Sequence, residues 1–225
     1  MVLFSGGIDS TTALYWAVRQ GYRVRPVTFV YPNRPRMELE ATRRIASRAG
    51  LDCVEAELPF LETARDIRSR DPSAFGTSVV PQGYIPARNM VFYASAAYYA
   101  EIYGAGAIIG GHLETDCIGF PDATVGFFST VEQLISMARL TTALPTGDGH
   151  VTDGGGSGNQ VRLVLPFLQF DKSEVLMLAF ELDVPLELTW TCYLDGEAHC
   201  GSCTNCLERK QAFEGVGAVD PIRRR

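Results

Sequence analysis

The chain has no excess of positive charge: 20 Lys and Arg stand against 26 Asp and Glu, a formal net charge of −6. Nothing in this balance supplies a global basic field, so stable nucleic-acid binding is not expected. The terminal Arg223-Arg224-Arg225 reads as a solvated tail rather than a grip on a polyanion. No apolar run approaches the roughly 20 residues that span a bilayer, so no membrane association is expected. A charged-then-apolar signal pattern is also missing, because a glycine turn begins at Ser5. The expected location is therefore cytoplasmic. Internal repeats are absent. What remains is a chain of 225 residues, 46% hydrophobic, which is enough for the full core of one sizeable domain.

Strand and helix signals alternate along most of that length. Residues 1–4 form a short apolar run that stops at glycines, as a buried parallel strand does. A helix is expected from Ser10 to near Gly21, a strand over 23–30, a helix over 37–49 and a third strand over 53–58. The stretch 66–82 reads as an irregular loop beside the site. A long apolar helix follows over 88–103, then a strand over 107–111 and a helix over 129–140. The glycine-rich 145–160 reads as a mobile surface insertion or a lid. A strand over 161–165 and a helix over 172–182 complete the pattern. Such alternation implies right-handed crossovers and a parallel sheet with helices on both faces. The expected division is an α/β domain over 1–185 and a small cysteine-bearing module over 186–225.

Between the first strand and the first helix stands Ser5-Gly6-Gly7-Ile8-Asp9-Ser10. Glycines let the backbone turn tightly and bring its N–H groups close to an anion. The helix that follows presents unpaired N–H groups and a partial positive charge, which together favour phosphate. Ser5, Ser10, Thr11 and Thr12 add candidate hydroxyl donors, and Asp9 is a candidate magnesium ligand or a brace for the loop. The string is neither a Walker A motif nor the G-x-G-x-x-G fingerprint. A plain strand-to-helix turn capped by Asp9 or Ser10 is the bland alternative.

Four of the six cysteines, Cys192, Cys200, Cys203 and Cys206, follow a C-x7-C-x2-C-x2-C spacing. In a reducing compartment that density points to a metal rather than to disulfides. Four thiolates complete a tetrahedral zinc shell with no open position, so the expected zinc is structural, one per chain. An iron–sulfur cluster is the competing occupant, and His199 a substitute ligand. Cys53 and Cys117 read as ordinary small thiols.

The S-G-G-x-D-S string resembles the pyrophosphate loop of ATP pyrophosphatases. Together with four further segments it resembles the 7-cyano-7-deazaguanine synthases of queuosine biosynthesis over nearly the whole chain. The segments are Ile85-Pro86-Ala87-Arg88-Asn89, Gly119-Phe120-Pro121-Asp122, Asp171-Lys172-Ser173-Glu174, and Glu187 to Tyr193 leading into the cysteines. The resemblance implies an adenine nucleotide alpha hydrolase type of Rossmann-like fold and a homodimer. It implies that ATP, with Mg2+, adenylates the carboxylate of 7-carboxy-7-deazaguanine. Ammonia then displaces AMP to give an amide, and a second ATP activates the amide oxygen so that loss of AMP leaves a nitrile. Phe4 to Thr12 and Lys172 would hold ATP, with Ser5, Asp9, Ser10 and Lys172 nearest the chemistry. Tyr31, Arg88, Asn89, Asp116, Phe120 and Asp122 would meet the deazapurine. For the aromatic residues a core position is the alternative; for Arg88 it is a structural ion pair.

Two segments depart from the family pattern. Where the family reads roughly Phe-Asp-Tyr-Gly-Gln-x-His, this chain has Phe29-Val30-Tyr31-Pro32-Asn33-Arg34-Pro35, and the glycine insertion at 145–158 is the second departure. A divergent member would stop at the amide, or join the activated deazapurine to another amine such as a protein N-terminus. Two further readings are a tRNA-thiolating ATP pyrophosphatase and a binding protein that kept the fold without the chemistry. The acidic balance opposes the first of these, and the intact glycine loop with Lys172 opposes the second.

Overall fold

In the computed structural model, which describes residues 1–76, 78–79, 83–139 and 161–222, the alternation of short apolar runs and helical segments becomes a five-stranded parallel sheet. The first half runs β1 (Val2–Leu3), α1 (Ile8–Arg19), β2 (Pro26–Val30), α2 (Arg36–Arg48), β3 (Val54–Glu57) and α3 (Ala64–Arg70). The second half runs α4 (Arg88–Ile102), β4 (Ala107–Ile109), α5 (Glu114–Gly119), α6 (Val125–Ala138), β5 (Arg162–Val164), α7 (Lys172–Glu181) and α8 (Thr204–Gly215). Strand order is β3-β2-β1-β4-β5. All four pairings are parallel, with Leu3 opposite Val27 and Val2 opposite Ile109.

The two-residue period of a strand sends neighbouring side chains to opposite faces. Val2 and Phe4 enter a core with Ala13, Leu14 and Ala17 of α1 and Ala41 and Ile45 of α2. Leu3, between them, packs into the other core, with Tyr93, Ala96 and Ala100 of α4 and Phe128 and Val131 of α6. Each fully buried Leu or Ile contributes about 1.5–3 kcal/mol, so both layers hold the sheet. Helix α7 packs against α1, and α8 against α7. Val2, Phe4, Trp190, Cys192 and Cys206 share one core, so the cysteine segment closes the same layer as the first strand.

Several helices depart from expectation. Helix α1 starts at Ile8, which places Asp9 and Ser10 in its first turn rather than ahead of it. Helix α3 occupies part of the expected loop 66–82. Its start is set by Thr63, whose hydroxyl accepts the Asp66 N–H at 3.2 Å and donates to the Asp66 carboxylate at 2.5 Å. Thr124 caps α6 through the Phe127 N–H at 3.2 Å, four residues before the expected start at Ser129. Helices α5 and α8 were not expected at all. The insertion at 145–160, the end of the 129–140 helix and the terminal arginines lie outside the described residues.

Candidate active site

The chain reverses its winding between β1 and β4, and in an open parallel sheet ligands bind outside the carboxyl ends of the strands at that point. Two glycine pairs meet there. Gly6 adopts φ +84°, and a Cβ on it would sit 3.0 Å from both the Glu38 carbonyl oxygen and the Thr42 nitrogen of α2. Neither the backbone conformation nor the space admits another residue. Gly111, just past β4, lies against the start of α1; its Cβ would be 2.8 Å from the Asp9 carbonyl oxygen. Gly110-Gly111 was not among the expected site residues, although a glycine pair directly after a strand was its visible signal.

The Ser5 N–H donates to the Ser10 hydroxyl at 3.2 Å, and the Ser5 and Ser10 hydroxyls lie 3.0 Å apart. Thr11 is the first residue of α1 whose N–H finds a backbone acceptor, Gly7 at 3.0 Å. The earlier N–H groups of that turn are the ones a helix leaves unpaired, and they open on the crevice. Thr11 and Thr12 do not present their hydroxyls there. Both are buried and donate backward, to Gly7 O at 2.7 Å and Ile8 O at 2.8 Å. Phe4 and Ile8 likewise turn their side chains into core, at 3% and 2% exposure, and contribute only backbone to the loop.

Helix α7 brings Lys172, one of two lysines in the chain, to the same point. A reciprocal cap between Asp171 and Glu174, two bonds of 2.8 Å, fixes the start of that helix. Lys172 Nζ then donates to both Asp9 carboxylate oxygens, at 2.8 and 2.6 Å. The expected phosphate cation and the expected magnesium ligand are thus paired with each other, half-buried at the mouth of the loop.

Across the crevice, Arg88 opens α4 behind Ala87, whose φ is +50°. Among the described residues the Arg88 side chain makes no hydrogen bond or ion pair, while its backbone N–H donates to Ile85 O at 3.3 Å. Its charge bears on Tyr31, Glu38, His112 and Tyr193. Tyr31 packs 6.0 Å from Phe92, and burial, then the nearby Glu38, push its hydroxyl up to about 12. Asn89 differs from expectation. It is 5% exposed, and both its N–H groups are spent on Asp122: backbone to carboxylate at 3.0 Å, side chain to carbonyl at 2.9 Å. These bonds lock α4 to the turn at Pro121–Ala123. Asp116 caps α5 by accepting the Leu113 N–H at 2.9 Å. Phe120 packs against the core of α4 and α6, as do Phe127 and Phe128.

His112 was also missed. Its ring lies 4.7 Å from Phe128 and 5.8 Å from Tyr93, with Nδ1 3.9 Å from Asp116. Burial, reinforced by the Arg88 charge, lowers it to about 4, so the imidazole is neutral at pH 7.

The four cysteines converge. Their sulfurs lie within 4.8 Å of one another, as ligands of one ion must. Backbone N–H groups already point at them: Leu194 and Cys200 donate to Cys192 Sγ at 3.4 and 3.5 Å, and Cys203 donates to Cys200 Sγ at 3.4 Å. Gly201 supports this knuckle at φ +71°. The donor set fits a closed tetrahedral thiolate site. His199 stands aside, its Nε2 accepting the Thr191 N–H at 3.3 Å and its ring 4.4 Å from Trp190. Trp190 packs on this module and donates its indole N–H to Cys192 O at 2.9 Å. Its backbone N–H reaches Gly6 O at 2.9 Å, which ties the cysteine module to the glycine loop.

The sequence profile of the queuosine biosynthesis protein QueC matches residues 1–217. The chain belongs to the QueC family. The 7-cyano-7-deazaguanine synthase of Acetivibrio thermocellus is 34% identical over 99% of this chain and 96% of its own. That of Clostridium kluyveri is 33% identical with the same two coverages. A solved structure of NMN synthetase from Francisella tularensis aligns over 96% of this chain and 76% of its own, at 16% identity and a TM-score of 0.49. The QueC match spans the glycine loop, Lys172 and all four cysteines.

Proposed function

We propose that this QueC-family chain converts 7-carboxy-7-deazaguanine and ammonia to 7-cyano-7-deazaguanine, using two ATP and releasing two AMP and two pyrophosphates. The match of the family over residues 1–217 carries this reading, and the geometry of the crevice supports it. The free N–H groups at the start of α1, with the Ser5 and Ser10 hydroxyls, receive the β- and γ-phosphates. Lys172 exchanges Asp9 for phosphate oxygens, and the freed Asp9 carboxylate is the natural ligand for the Mg2+ that accompanies ATP. Placed by these groups, the α-phosphorus faces the substrate carboxylate, whose attack expels pyrophosphate. Arg88, its side chain unpaired among the described residues, holds the carboxylate in a fork that suits bidentate oxyanion contact. Tyr31 and the second Asp122 oxygen border the ring.

Ammonia attacks the acyl-adenylate and AMP leaves with the acyl oxygen's electron pair. The resulting amide oxygen then attacks a second ATP, and loss of AMP with two N–H protons gives the nitrile. The chain's contribution is position and charge, with no covalent intermediate on a side chain. Cys192, Cys200, Cys203 and Cys206 would hold one structural Zn2+, whose closed thiolate shell would supply stability rather than chemistry. The test is AMP release from ATP with 7-carboxy-7-deazaguanine and ammonium, without RNA. Release that depends on the deazapurine, and is lost in Ser5→Ala and Asp9→Ala, supports the reading. Release that needs RNA, or that survives both substitutions, contradicts it.

A further inference from the structure

Behind the glycine loop lies a buried cation that the reaction does not use. Tyr31-Pro32-Asn33-Arg34 forms a tight turn, closed by the Arg34 N–H on Tyr31 O at 3.3 Å. Pro32 presets the φ of the second position, and Asn33 takes the third at φ +61°, as a type II turn requires. The turn sends the Arg34 side chain back beneath the strand ends, where it is 4% exposed. Nη1 donates to Thr28 Oγ1 at 2.8 Å and Phe29 O at 2.5 Å, both on β2. Nη2 donates to Ser5 O at 2.9 Å and approaches Glu38 Oε1 at 3.4 Å. Nε is buried without a partner.

The contact with Ser5 O has a consequence for the loop. Across a planar trans peptide the C=O and N–H point in opposite directions. Holding the Ser5 carbonyl toward Arg34 therefore turns the Gly6 N–H away from it, and among the described residues that N–H has no hydrogen-bond acceptor. The next peptide is held in the same way, because Gly6 O accepts the Trp190 N–H at 2.9 Å. Gly6 at φ +84° sits in the region where glycine rotates most freely, so without a partner on Ser5 O this peptide has other orientations to visit.

We propose that Arg34 is a positioning residue that aims the Gly6 N–H at the outer phosphates of ATP. The inference rests on the reading of the loop as a pyrophosphate site. It gives the divergent segment a role: Pro32 and Asn33 shape the turn that delivers Arg34. Lysine keeps the charge but has no planar fork to span β2, Ser5 O and Glu38 together.

The test compares wild type, Arg34→Lys and the double variant Arg34→Met with Glu38→Gln, which leaves no buried carboxylate without its cation. Affinities for ATP, inorganic pyrophosphate and AMP are measured by calorimetry, with thermal unfolding as the check on fold. Both variants should bind ATP and pyrophosphate about tenfold more weakly, the loss of one oriented N–H to a charged group. AMP, which lacks the outer phosphates, should bind within about twofold of wild type. ATP affinity unchanged in a folded Arg34→Lys protein overturns the proposal, and so does an equal loss for ATP and AMP. If wild type binds neither ATP nor pyrophosphate, the reading of the loop fails and the proposal with it.

Discussion

At the scale of single residues, the site depends on a few positions where backbone touches backbone. Gly111 is the clearest, since a Cβ there would meet the Asp9 carbonyl oxygen, and a backbone atom cannot swing aside as a flexible side chain does. Gly111→Ala should cost about 1–3 kcal/mol of stability, as overpacking does, and should abolish AMP formation because Asp9 must move. Thermal unfolding and an AMP assay check both parts. Arg209, 1% exposed, is a buried side-chain cation that braces the fold away from the site. It donates to Asp220 through two bonds of 2.8 Å and to Thr189 Oγ1, Thr191 Oγ1 and Leu186 O. Burial alone would raise the Asp220 carboxyl, but the guanidinium outweighs it and holds the group below its ordinary value. A depressed carboxylate stabilises the fold above its unfolded pKa, and that contribution is lost as pH falls through the folded one. Stability should therefore drop below about pH 4, the ordinary carboxylate range. Asp220→Asn should remove the Asp220 share of that acid dependence and cost about 3 kcal/mol at pH 7, the low end for a broken buried pair because three neutral acceptors remain. An unchanged acid profile in the variant would contradict this.

At the scale of elements, two helix starts and a cysteine knuckle converge on one loop. The cysteine module reaches the site by two hydrogen bonds: Trp190 N–H on Gly6 O, and Asp195 Oδ1 accepting the Met37 N–H of α2 at 2.9 Å. Helix α2 has no side-chain cap of its own, so Asp195 supplies one from a distant part of the chain. Removing the metal should therefore weaken ATP binding as well as stability. About one equivalent of zinc per chain is expected by elemental analysis, and chelation should lower both the melting temperature and ATP affinity. Chelation that left ATP affinity intact would show that the knuckle does not support the loop. Much of this was legible in the residues. The glycine string, the cysteine spacing and the apolar strand runs depend on neighbours in sequence, and the strand–helix order follows from them. Asn89 and Asp122 were recognised in two separate site motifs, but their bonding to each other was not visible, because a sequence separation of 33 hides a contact made only in three dimensions. Arg34 and His112 were missed for the same reason. A lone Arg in a turn and a lone His after a strand carry no spacing signal. Thr11 and Thr12 looked like phosphate donors, but both hydroxyls turn to carbonyls of the preceding turn, the commonest resting place for a buried helical threonine.

At the scale of the whole molecule, the sheet order β3-β2-β1-β4-β5 opens a crevice at β1 and β4, and the helices and cysteine module build its walls. Among the described residues no helix is long and apolar enough to cross a membrane. The net charge of −6 supplies no broad basic face on which a polyanion would be held. The most direct measurement is a mass spectrum of the deazapurine after incubation of the protein with 7-carboxy-7-deazaguanine, ATP, Mg2+ and ammonium. Two adenylations predict the nitrile, with the amide appearing only transiently and two AMP formed per product. A terminal amide with one AMP, or the deazapurine mass attached to a protein amine, would contradict the account.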